Sequence, residues 1–146
     1  MKRIKLYEIF GLVVILALTV IAGVSCAKTG PDANLYGVTW VLKSYGQPGS
    51  LTPVTTQRET TLTFDKNKMT ISGNGGVNGY GGDFTVKGNE ITFNGVVHTE
   101  MASTDEALNS QENAFFRILG GADSFKIDGL QLTIAGTEGT LVFTQK

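Results

Sequence analysis

The chain has one cysteine, one histidine, one tryptophan and three prolines in 146 residues. A single thiol, Cys26, excludes a disulfide within the monomer. One imidazole, His98, leaves a metal site short of ligands. With Glu100 it supplies two, where a catalytic zinc takes three protein ligands and a structural one four. A Ser-His-Asp triad would also have to use His98, and the sequence contains no G-x-S-x-G elbow to present the serine. Cations are not in excess, at 12 Lys and Arg against 13 Asp and Glu. Without Lys2, Arg3, Lys5 and Glu8 the remaining chain carries 9 basic and 12 acidic residues, a net charge of −3. Nothing in that balance suggests nucleic acid, which would need a basic patch with interleaved aromatics. The longest apolar run, Ile9 to Val24, has 16 residues, short of the roughly 20 that span a bilayer comfortably.

What is present at the N-terminus has the three parts of an export signal. Lys2, Arg3 and Lys5 form the positive region, the apolar run follows, and small residues lead to Cys26. Gly23-Val-Ser-Cys26 resembles a lipobox, with Gly23 where the common motif carries Leu. The resemblance implies a signal peptide over 1–25 and lipidation of Cys26 as the first mature residue. The other reading keeps the leader as an uncleaved anchor. In both the partner is a membrane, and the chain is expected to be exported and held at the cell envelope or cell surface. Residues 26–34 read as a polar tether with Gly30 and Pro31.

Beyond Leu35 the chain is rich in glycine, 19 in all, and in short alternating segments. Val38, Trp40 and Leu42 share one face, and Trp40 reads as core. Gln47 to Gln57 reads as a loop, because Pro48, Gly49 and Pro53 oppose a central strand. Three hairpins follow: Thr61–Asp65 with Lys68–Ser72, Asp83–Lys87 with Glu90–Asn94, and Ser124–Ile127 with Leu130–Ile134. Their turns are assigned to Lys66-Asn67, Gly88-Asn89 and Asp128-Gly129. A last strand covers Thr140 to Thr144. Met69 and Met101 are expected to fill core gaps.

One helix interrupts the strands. Ser103-Thr-Asp-Glu106 fits a capping box, and Leu108, Phe115, Ile118 and Leu119 make an apolar stripe that ends at Gly120-Gly121. The expected fold is mainly β (α+β): a small open or cracked antiparallel β-barrel or bent sheet of seven to eight strands, closed by one helix. Phe64, Phe84, Phe93 and Phe143 point inward and favour a filled interior.

The glycine-rich stretch from Gly73 to Gly82 is not a phosphate cradle, since no Gly-Lys-Ser/Thr follows it. Its polar residues Asn74, Asn78 and Tyr80 serve turn chemistry or, alternatively, form a shallow recognition patch. Asn78-Gly-Tyr80-x-Gly82 and Thr99-x-Met101-Ala102, with the opening Leu35-x-Gly37-x-x-Trp40-x-Leu42-x-Ser44-Tyr45, resemble the META (HslJ-like) domain family over 35–146. The resemblance implies a non-enzymatic envelope lipoprotein with a stress, maintenance or protein-interaction role, no cofactor, no metal and an envelope protein partner. The alternative is a module that binds a small hydrophobic or lipid ligand within the barrel. Many members of the family carry cysteine where this chain has Val77 and Ser103. That implies that these two positions are neighbours.

Overall fold

The computed structural model describes residues 34–55 and 57–146. The leader, Cys26 and nearly all of the tether lie outside the described residues. Alternation produces nine strands: β1 (Thr39–Gln47), β2 (Ser50–Pro53), β3 (Thr61–Asp65), β4 (Thr70–Asn74), β5 (Gly79–Lys87), β6 (Glu90–His98), β7 (Ala122–Asp128), β8 (Gln131–Gly136) and β9 (Gly139–Gln145). One helix, α1 (Glu106–Gly120), sits between β6 and β7. All neighbouring strands pair antiparallel. Because β1 pairs with β9 as well as β3, eight strands close into a barrel and β2 stays outside it.

Closure is thinnest between β6 and β7. One register pair, Glu90 with Ser124, and the bond from Phe125 N–H to Asn89 O (2.8 Å) join them. The helix packs across the other end of the barrel, against β6, β9, β1 and β8. Its stripe Leu108, Phe115, Ile118 and Leu119 is buried there. Trp40, Leu62, Phe84, Leu132 and Phe143 are also fully buried, and the Trp40 indole N–H donates to Leu35 O at 3.1 Å. Aromatic rings meet at 5.1 Å (Phe64–Phe84), 6.2 Å (Phe64–Phe93) and 6.5 Å (Phe115–Phe143), so side chains occupy the interior.

Local details differ from the reading of the sequence. Ser50–Pro53 is a strand, not a loop. It lies on the outer flank of β1 (Gln47 opposite Ser50), and Pro53 is tolerated because it ends an edge. The first hairpin turns through four residues, 66–69, because Asp65 accepts the N–H groups of Asn67 (2.9 Å) and Lys68 (3.1 Å). Met69 therefore sits in the turn at φ 55°, exposed, and not in the core. Met101 is 58% exposed for a related reason, since it belongs to the connection into α1 and not to an element. The third turn is Gly129-Leu130, with Asp128 opposite Gln131. The helix begins two residues later than the proposed capping box. Asp105 is the N-cap, accepting from Ala107 and Leu108 N–H at 2.9 and 3.2 Å, while Ser103 Oγ accepts from Asp105 N–H at 3.0 Å.

Candidate functional site

The polar residues of the glycine-rich turn converge on one buried side chain of the helix. Glu112 Oε1 accepts the backbone N–H groups of Val77 (2.9 Å) and Asn78 (2.6 Å), and Oε2 accepts Asn78 Nδ2 at 2.6 Å. Glu112 is 6% exposed and its carboxylate is held by amide dipoles, with no ion-pair partner among the described residues. Such charge-assisted bonds are short and strong. The turn approaches this closely because it is glycine. A Cβ on Gly75 would stand 2.6 Å from Glu112 Oε1, and Gly76 takes φ +121°, a conformation that side chains oppose.

Asn78 carries the network onward. Its Oδ1 accepts from Thr99 Oγ1 and Met101 N–H, both at 2.7 Å, and Nδ2 also donates to Met101 O at 3.1 Å. The Met101 N–H is a donor that cannot be reversed, so it fixes which way the amide faces. The motifs Asn78-Gly-Tyr80 and Thr99-x-Met101 are thus two sides of one brace. Tyr80 extends it outward from the helix, donating to Thr61 O at 2.8 Å, while burial raises the pKa of its phenol. Gln111 anchors the next strand connection. It donates to Thr60 Oγ1 (3.2 Å) and accepts Thr55 N–H (2.7 Å).

The remaining candidates fall around this brace. Asn74 is half-buried and accepts Gly76 N–H at 2.7 Å, closing the turn. Asn78 is only 3% exposed and Tyr80 is buried. These two side chains face inward into the brace and do not make a surface patch. His98 stacks on Phe116 at 4.6 Å and 13° and has Nδ1 2.9 Å from Thr99 O. Val77 and Ser103 both line one surface cleft of about 470 Å³, with Arg58, Met101 and Leu108.

Glu112 and Gln111 are the residues that sequence reasoning missed, although a signal was there. They lie three and four residues after Leu108 and before Phe115, on the stripe that has to be buried. Two polar residues at such positions call for internal partners.

A helix-closed antiparallel barrel braced from its glycine-rich turn is the class that fold and geometry define. The META domain family model matches residues 33–146, and the chain belongs to that family. No curated protein matches the sequence. A protein from Burkholderia xenovorans, solved by NMR, is similar at TM-score 0.66 and 24% identity, with 77% of this chain and 83% of that one covered. A second NMR structure matches at TM-score 0.61 and 28% identity over 75% of this chain and 90% of that one. The crystal structure of a DUF4847 family protein from Bacteroides vulgatus has TM-score 0.59 and 14% identity, covering 79% and 96%.

Proposed function

We propose that the chain is an exported META domain, held at the bacterial cell envelope by a lipid on Cys26, that acts by contact with other envelope molecules and not by catalysis. The observation that carries this is the saturation of the brace. Asn78, Tyr80, Thr99 and Glu112, the polar groups gathered by the family motifs, bond to one another and to the backbone. A residue committed to such a network has no free group to offer a substrate. The buried phenylalanines fill the place where an internal ligand would lie, so the barrel contributes its outer surface. The leader and Cys26 supply the location, and a maintenance or stress role follows the family resemblance. Fractionation of cells carrying wild type or Cys26→Ala tests this. Wild type is expected in the membrane fraction after alkaline wash. The variant is expected to shift to soluble fractions or to persist as a larger precursor. Wild-type protein recovered soluble, at its mature size, would contradict the proposal.

A further inference from the structure

Antiparallel order divides the barrel into two unlike ends. The β3–β4, β5–β6 and β7–β8 turns lie at one end, where β1 begins and β9 stops. Bonds tie this end together. Gln145 N–H donates to Leu130 O at 2.8 Å, Lys146 N–H to Thr39 O at 2.9 Å, and Lys66 Nζ stands 5.0 Å from the Tyr36 ring centre. Asn34, the first described residue, shares a depression here with Tyr36, Gly129 and Leu130. The tether therefore enters at the turn end.

The turn end is tipped with apolar side chains. Leu130 is 64% exposed and Met69 38%, both at turns. Its strands and turns carry Lys66, Lys68, Lys87, Lys126 and Lys146 against Asp65, Asp83, Glu90 and Asp128, and Glu59 reaches Lys146. Three of the lysines are paired, with Asp65 (3.6 Å), Asp128 (3.4 Å) and Glu59 (2.7 Å). Lys66 and Lys87 are exposed and have no ion pair among the described residues. The helix end is acidic: Glu100, Asp105, Glu106, Asp123 and Glu138 face Arg58, in the cleft with Met101 and Ser103, and Arg117, which pairs with Glu138 at 2.8 Å.

We propose that the turn end is a docking face for an anionic lipid bilayer, with Leu130 and Met69 at the interface, Lys66 and Lys87 among the headgroups, and the acidic helix end turned away. The inference rests on the tethered reading above. From Cys26 to Leu35 the chain can reach about 30 Å at full extension, so the turn end stays close to the surface that holds the lipid. A contact too weak to recruit the free domain becomes effective once a short tether raises its local concentration. Basic side chains near anionic headgroups and one or two apolar tips are a combination of that kind.

The test uses the full lipidated chain reconstituted in vesicles of phosphatidylcholine, with or without phosphatidylglycerol. Leu130→Cys on the turn end and Ser110→Cys on the helix, an exposed position, each provide one free thiol for an environment-sensitive fluorophore. The expected result is a blue shift and quenching by lipid-phase quenchers at position 130, not at 110, when phosphatidylglycerol is present. Both effects should be lost in Lys66→Glu/Lys87→Glu or at high salt. Equal, water-like emission at the two positions, or a response at 130 indifferent to phosphatidylglycerol, would overturn the proposal. Flotation with pure phosphatidylcholine vesicles reports the tether separately. Protein that floats without a shift at 130 keeps the tether and refutes the face. Protein that does not float refutes the tether and, with it, the docking that depends on the tether.

Discussion

Asn78 makes all four hydrogen bonds that a primary amide can make, two as acceptor and two as donor. Its removal strands the Met101 N–H and carbonyl, the Thr99 hydroxyl and one oxygen of a buried carboxylate. Groups left unpaired in this way cost about 1–3 kcal/mol each, more when charged, though relaxation and water recover part of the loss. Asn78→Ala should therefore destabilise the domain by roughly 2–4 kcal/mol. Urea denaturation measures it, and a loss under about 1 kcal/mol would mean that the brace is dispensable. The turn-chemistry reading of Asn78 was available from the sequence, since asparagine suits tight turns. Its partners were not, because Thr99, Met101 and Glu112 are distant in sequence and only the closed barrel brings them together. Met69 and Met101 were misplaced because alternation and side-chain type do not reveal that a residue sits in a turn or a connection.

At the scale of elements, the three hairpins and the helix were legible because each carries a period of its own. Leu108, Phe115, Ile118 and Leu119 repeat at helical spacing and are buried together, and the paired strands alternate as an antiparallel sheet with one wet face does. Boundaries were less legible. Two acceptor side chains moved them: Asp65 captured two N–H groups and lengthened its turn, and Asp105 capped the helix in place of Ser103. β2 was obscured by Pro53, with Pro48 in the turn before it, since a proline is compatible with a strand only where one edge is unpaired. The helix matters because it covers the end of the barrel opposite the three hairpin turns, packed against β6, β9, β1 and β8. Phe115, fully buried and 5.4 Å from Tyr80 and 6.5 Å from Phe143 in ring centres, is its main contribution. Phe115→Ala is expected to cost roughly 3–5 kcal/mol. A thermal or urea transition close to that of wild type would show that the helix lies on the barrel without closing it.

For the whole molecule, a helix-closed barrel with one buried face was foreseeable from strand count and parity. The pairing of β1 with both β3 and β9 was not, because register across a barrel depends on closure and not on local pattern. A filled interior follows from the same closure, since inward phenylalanines at successive levels leave each other in contact. The proposed function lies with the outer surface and with the place where the chain holds it. The intact mass of the mature protein purified from membranes tests that claim most directly. The expected mature chain begins at Cys26 and carries a diacylglyceryl addition, and Cys26→Ala carries no lipid. An unmodified Cys26, in a mature chain or behind an intact leader, would contradict it.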